Sequence, residues 1–184
     1  MRVHIFGASG SGTTTLARAL ASKWSIPCHD IDDYYWLPTD PPFKQKRPVE
    51  ERVALMHALF VARPHWVLSG GMLSWGEDIR ERYQLVVFLT LDDQTRQHRL
   101  AERETQRHGA NAIAPGGHAH DHYMAFMEWA AQYEDPDFNG RSRQRHEAWM
   151  RDLSCPCIRL NSLNPVTTLV DQVEAAWESM DIPD

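Results

Sequence analysis

Cysteine is scarce in this chain. Cys28, Cys155 and Cys157 are the only three in 184 residues, too few to staple a small disulfide-built fold. Cys155-Pro156-Cys157 stands just before a strand-like segment, and core packing accounts for it better than a metal site, which needs more ligands at suitable spacing. Long apolar runs are missing as well. No stretch reaches the roughly 18 apolar residues of a membrane span. The chain opens directly on a strand-like segment, which leaves no room for a signal peptide and predicts a cytoplasmic protein. There is no excess of positive charge: 19 basic residues face 25 acidic ones, for a net charge of −6. A nucleic-acid partner, which favours a basic face, is therefore not expected. Linkers, low-complexity runs and internal repeats are absent, so residues 1–184 read as one domain with an ordinary core.

What is present starts at Val3. Val3-His4-Ile5-Phe6 reads as a strand, Gly7, Gly10 and Gly12 punctuate a turn, and Thr13-Thr14-Thr15-Leu16-Ala17 opens a helix. That order makes a phosphate cradle. Glycines let the main chain approach an anion, and the helix N-terminus adds unpaired N–H donors and the positive end of its dipole. The spacing is G-x-x-x-x-G-x-[ST] over Gly7, Ala8, Ser9, Gly10, Ser11, Gly12, Thr13 and Thr14. Thr14 holds the hydroxyl position that ligates a nucleotide-bound Mg²⁺. The pattern places a lysine before that hydroxyl, and here the residue is Thr13. Most of the cradle is backbone, so nucleotide binding is expected to survive. By analogy with an oxyanion-hole donor, the lost cation is worth about 3 kcal/mol of transition-state stabilisation. Another Lys or Arg would have to supply it.

Further along, Leu16, Leu20 and Trp24 place an apolar stripe on a helix over 13–24, and Ile26 to Ile31 reads as a second strand. That strand runs into Asp30-Ile31-Asp32-Asp33. Strand alternation would put Asp30 and Asp32 on one face, in the crevice where parallel sheets bind ligands. One would hold Mg²⁺ through water and the other would orient or deprotonate an acceptor hydroxyl, against the plainer reading of a solvated turn or helix cap. Tyr34, Tyr35 and Trp36 either stack on a ring or pack a lid. Val53, Met56, Leu59 and Phe60 mark an amphipathic helix over 49–63. Trp66-Val67-Leu68 is a third strand, and Ser69-Gly70-Gly71 after it suggests backbone close to a ligand. Trp75 to Arg82 reads as a short helix whose Arg80 meets an acceptor's anionic group or makes a surface salt bridge.

Leu85 to Leu89 is the clearest strand, apolar throughout as in a parallel sheet buried on both faces. The helix expected over 93–108 carries Arg96, Arg99 and Arg103 on one face. Arg99 and Arg103 either clamp phosphate or stack on a purine, unless that face is merely solvated. Residues 109–140 read as the least regular region. His118, His120 and His122 alternate there, more as a mobile polar loop than as metal ligands. Tyr123 to Tyr133 suggests an inserted apolar-faced helix, and Arg141, Arg143 and Arg145 lead into another. A segment this long fits a hinged lid over about 104–150. Cys157 to Leu160 is the fifth strand, Asn161 to Pro165 a turn where adenine would lie, and Val166 to Trp177 a closing helix. The sum is an α/β domain: a five-stranded parallel sheet sandwiched by helices through right-handed crossovers.

Gly7 to Thr14, Asp30-x-Asp32, Ser69-Gly70-Gly71 and Arg99 to Arg103 together resemble the P-loop small-molecule kinases, the group of adenylate and shikimate kinases. The chain is most similar to bacterial adenylate-kinase-like ATP-binding proteins with GTTT in the loop. The resemblance implies a nucleoside-monophosphate-kinase-like P-loop NTPase fold, with ATP and Mg²⁺ at Gly7 to Thr15. It implies Thr14 and Asp30 at the metal, and an acceptor site with Asp32, Tyr35, Gly70, Gly71 and Arg80. An acceptor-side insertion over about 33–64 goes with it. Arg103 would cover adenine, and Arg99, Arg141 and Arg145 would serve the phosphates. The expected partner is a small phosphoryl acceptor, a nucleoside monophosphate or a hydroxyl metabolite, for a monomer or weak homodimer. Thr13 leaves two alternatives open: a nucleotide-binding module without turnover, and a slow ATPase switch.

Overall fold

Side chains alternate along a strand, so the first strand already has two characters: Val3 and Ile5 on one face, His4 and Phe6 on the other. Everything else packs against one or the other. The structure, a computed structural model, describes residues 1–40 and 42–180; the last four residues of the expected domain lie outside these. In chain order its elements are β1 (Arg2–Gly7), α1 (Thr13–Trp24), β2 (Cys28–Asp30), α2 (Ile31–Tyr35), α3 (Val49–Met56), β3 (Trp66–Ser69), α4 (Glu77–Arg80) and β4 (Leu85–Thr90). They continue with α5 (Asp93–His108), α6 (Ala110–Ile113), α7 (His120–Ala131), α8 (Arg143–Arg151), β5 (Cys157–Asn161) and α9 (Val166–Ser179).

The sheet has the order β2-β3-β1-β4-β5 and every pairing is parallel. Val3, Ile5, Val67, Leu85, Val87 and Leu89 form one core with Leu16 and Leu20 of α1 and Leu169 and Val173 of α9. Phe6, Trp66, Leu68, Val86 and Phe88 form the other, with Met56, Phe60 and Trp149. Burying side chains of this size on both faces is the dominant favourable term, at roughly 1.5–3 kcal/mol each. Because all strands run the same way, their carboxyl ends share one edge. Register aligns that edge: Asp30 lies opposite Ser69, Gly7 opposite Leu89, and Thr90 opposite Asn161.

The structure departs from the sequence reading in four places. The second strand stops at Asp30, because Asp30 accepts the Asp32 N–H at 3.1 Å and caps α2. Asp30 and Asp32 therefore do not share a strand face. The helix over 49–63 ends as a π-helix over His57–Val61, and Leu59 on it faces solvent. The short helix expected over 75–82 is only Glu77–Arg80. The polar loop expected at His118 to His122 is helical from His120 onward, where α7 begins, while the inserted helix expected over Tyr123 to Tyr133 forms as α7 and the 3₁₀ turn Gln132–Glu134. His120 opens α7 there and its Nδ1 meets the Ile113 carbonyl at 2.9 Å. No helix among the described residues is long and apolar enough to cross a membrane.

The second core contains two histidines, His4 and His146, both fully buried. Burial pushes each down to about 3; a backbone contact at Leu68 partly offsets this at His4, while Arg141 and the other nearby cations reinforce it at His146. Both are neutral in the folded chain near pH 6, whereas the unfolded chain protonates them below about 6.5. Folding stability should thus be whole above pH 6.5 and fall on acidification, by about 1.4 kcal/mol per pH unit for each histidine. Urea unfolding between pH 7 and 5 should show this, and His146→Phe should flatten the slope; an unchanged slope in that variant would refute it.

Candidate nucleotide and acceptor site

Gly10 and Gly12 adopt φ of 84° and 87°, left-handed values that favour glycine. Gly7 has no room for a side chain: a Cβ would lie 2.5 Å from Ser11 Oγ and 2.6 Å from the Leu89 carbonyl oxygen. The Ser11 N–H donates to the Ala8 carbonyl at 3.1 Å and closes the turn. Helix α1 then starts at Gly12 with no side-chain cap and no acidic residue in its first turn. Its first N–H groups, those of Thr13, Thr14 and Thr15 among them, are uncommitted within the helix, next to the positive end of the dipole. By contrast α2, α5 and α8 are capped by Asp30, Asp92 and Ser142. Uncapped donors, left-handed glycines and a buried, unpartnered Ser11 hydroxyl fit a polyphosphate tail.

Thr14 Oγ1 donates to Asp30 Oδ2 at 2.8 Å, which puts two hard oxygen donors at the mouth of the loop, as Mg²⁺ requires. Asp32 follows one helical residue later, its side chain open to solvent in a crowded cleft. Crowding raises its carboxyl above the ordinary aspartate range, and the Asp30 charge adds to this. Opposing them are the Arg141 guanidinium, a hydrogen bond from Trp36 and the charge of Arg103. Arg141 lies over Gly71, its Cζ 3.4 Å from where a Cβ would be, and 5.7 Å from the Trp129 ring centre. Arg103 bonds Glu104 Oε1 through Nε at 3.1 Å and Nη2 at 3.0 Å, and lies over Phe126. Two cations from beyond the loop thus converge on Asp32.

Residues 3–114 match a family model described as an AAA domain. A relative from Bacillus subtilis (strain 168), the uncharacterized protein YqaC, is 39% identical over 171 residues, 93% of this chain and 94% of that one. The chain belongs to this AAA-domain family. Among solved structures it is similar to shikimate kinase from Acinetobacter baumannii in complex with shikimate (TM-score 0.57, 12% identity, 99% and 95% of the two chains). A gluconokinase from Sinorhizobium meliloti 1021 also matches (TM-score 0.51, 15% identity, 97% of both chains). At such identities they show the fold alone, that of the P-loop small-molecule kinases.

The remaining predicted residues of this AAA-domain protein are placed unevenly. Arg99 donates from Nη1 to Ser162 Oγ at 3.0 Å and from Nη2 to the Ser162 carbonyl at 3.1 Å, so it holds the turn after β5 against Gly12. It adjoins the turn where adenine was expected, and the charge of Arg103 acts on Asp32. Arg145 is exposed and donates to the carbonyls of Asn139 and Gly140, which occupies it in shaping its own loop. Arg80 closes the short helix α4, and its carbonyl accepts the Tyr83 N–H at 3.2 Å. Tyr35 lies edge-on to Trp36 and 3.9 Å below the guanidinium of Arg52. Among the described residues no group of three or more His, Cys, Asp or Glu is arranged to hold a metal ion, His118, His120 and His122 included.

Sequence reasoning missed Arg52 and placed Arg96 on a helix face without giving it a role of its own. Arg52 is only 6% exposed, held between Tyr35 and Trp75, with Nε on the Arg47 carbonyl at 2.6 Å. A signal existed: Arg52, Met56 and Phe60 fall at i, i+4 and i+8, so the arginine lies on the apolar stripe. Arg96, Leu100 and Glu104 repeat that spacing as the buried face of α5. Since Arg141 is the largest favourable charge on Asp32, Arg141→Ala should raise the Asp32 carboxyl further. Carbon-13 titration of that carboxyl checks it, and an unchanged or lower midpoint would contradict the placement.

Proposed function

We propose that this chain transfers the γ-phosphoryl group of ATP to the oxygen of a small acceptor, a hydroxyl metabolite or a nucleoside monophosphate. The observation that carries the reading is the contact of Thr14 with Asp30, two residues before a raised Asp32, at the mouth of an uncapped glycine-turn helix. The loop amides from Gly7 to Thr15 hold the phosphates, and Thr14 and Asp30 hold Mg²⁺. Bound Mg²⁺ supplies neutralising charge on the β- and γ-phosphates. Arg99 and the Ser162 turn border the nucleoside. Arg103, at the base of a lid over about 104–150, and Arg141, within it, stand in for the missing lysine.

The acceptor rests beside Gly70, Gly71 and Tyr35. The guanidinium of Arg52, fixed between the rings of Tyr35 and Trp75, or that of Arg80 meets an anionic group on it. The acceptor oxygen bonds to the γ-phosphorus as the bond to the β–γ bridging oxygen breaks, and its proton passes to Asp32. Transfer is then positioning plus charge neutralisation. Neighbours named shikimate kinase and gluconokinase support the class of reaction. The reading includes a cytoplasmic location and a monomer or weak homodimer.

Acceptor-dependent ADP release should drop by about 10²–10⁴-fold in Asp32→Asn while nucleotide affinity holds. The acid limb of its pH profile should lie above the ordinary aspartate range, because Asp32 is raised. A broad panel of small alcohols, hydroxy acids and nucleoside monophosphates that yields no ADP would overturn the reading. Thr13 favours a second one, a nucleotide-binding module or slow ATPase switch. In that case the wild type binds ATP without acceptor turnover, and Thr13→Lys gains it; robust wild-type transfer removes this alternative.

A further inference from the structure

Arg96 is a fully buried cation to which the proposed catalysis gives no role. Its Nη1 donates to the Ser9 carbonyl at 3.1 Å, and its Nη2 to Asp93 Oδ1. Its Nε has no protein partner. The guanidinium lies 4.9 Å from the ring centre of Tyr133, whose hydroxyl pairs with His146 Nδ1 at 2.8 Å. The backbone of the same residue walls the loop: a Cβ on Gly10 would lie 2.9 Å from the Arg96 carbonyl oxygen and 3.0 Å from Leu100 Cγ. Burying a guanidinium costs free energy, and an apolar side chain of similar size is often as stable or more so. Stability alone therefore does not explain this residue.

We infer that Arg96 is a positioning residue for the phosphate loop, clamping it from behind where no lysine braces it from within. A trans peptide points its C=O and N–H in opposite directions. Tying the Ser9 carbonyl to Arg96 therefore turns the Gly10 N–H away from α5, toward the concave side of the loop. The same guanidinium rests on Tyr133, so the end of the 120–134 helical segment and the loop share one support. Arg96 touches no reacting atom; it acts through Ser9 and Gly10. The inference rests on residues 7–14 being the nucleotide cradle.

Two variants separate positioning from bulk stability. Arg96→Met keeps volume without donors, and Arg96→Lys keeps the charge but cannot span Ser9 and Asp93 at once. Calorimetry with Mg·ADP should show about ten-fold weaker binding in Arg96→Met, the equivalent of one charge-assisted hydrogen bond, and an intermediate loss in Arg96→Lys. Amide hydrogen exchange should quicken at Ser9 to Gly12 while the strands stay protected. If Arg96→Met does not fold, Arg96→Lys alone decides. Wild-type affinity together with wild-type loop exchange in Arg96→Lys, and in Arg96→Met where it folds, would overturn the inference. Failure of the wild type to bind ADP at millimolar concentration would sink the nucleotide reading instead, and the exchange rates would still judge the clamp.

Discussion

A triphosphate tail brings several negative charges into a small volume, and the loop that receives it on the proposed reading offers amides but no cation. That constraint organises the rest of the site. The loop answers with geometry: Gly7, Gly10 and Gly12 permit the tight turn, and α1 begins with neither cap nor carboxylate to compete for its N–H groups. The charge comes from elsewhere. Arg103, on α5, and Arg141, just before α8, both act on Asp32. On the proposed reading the neutralising charge arrives with the lid and is not installed in the loop. Binding and closure then become one event, and an open lid leaves the phosphates under-neutralised.

Parallel pairing does the assembling. Five strand ends at one edge bring Gly7, Asp30, Gly70, Thr90 and Asn161 together although they span more than 150 residues of chain. Apolar side chains on both faces fix register, because a one-residue slip would exchange Val3 and Ile5 for His4 and Phe6. The buried histidines show what the second face tolerates: His4 stacks on Tyr83 at 4.6 Å and His146 pairs with Tyr133, and both remain neutral. Packing and partial hydrogen bonding offset their desolvation only while they stay uncharged.

Much of this was legible in the residue order. The strand, turn and helix of the loop, the helix Thr13–Trp24, the helix Asp93–His108 and the apolar strand at Leu85 all formed where periodicity placed them. Such signals are local and repeat over many residues. What failed turned on single hydrogen bonds or on long-range packing. Asp30 could extend a strand or cap a helix, and one bond to the Asp32 N–H decides it. Arg99 and Arg103 are equivalent by spacing; only the bonds of Arg99 to Ser162, more than 60 residues away in sequence, tell them apart. Arg145 bonds to the carbonyls of its own loop, which spacing does not show. Arg52 and Arg96 were hidden because a charged residue on an apolar stripe reads as noise unless the partner that buries it is known.

Whether Arg141 occupies the charge position that Thr13 leaves open can be measured directly by a double-mutant cycle on Mg·ATP affinity. Calorimetry on the wild type, Arg141→Ala, Thr13→Lys and the combination gives the coupling. If Arg141 supplies the loop's missing cation, its removal weakens binding by about ten-fold with Thr13 present and markedly less in the Thr13→Lys background. Strictly additive effects, or a wild type that binds no nucleotide at millimolar concentration, would contradict the account.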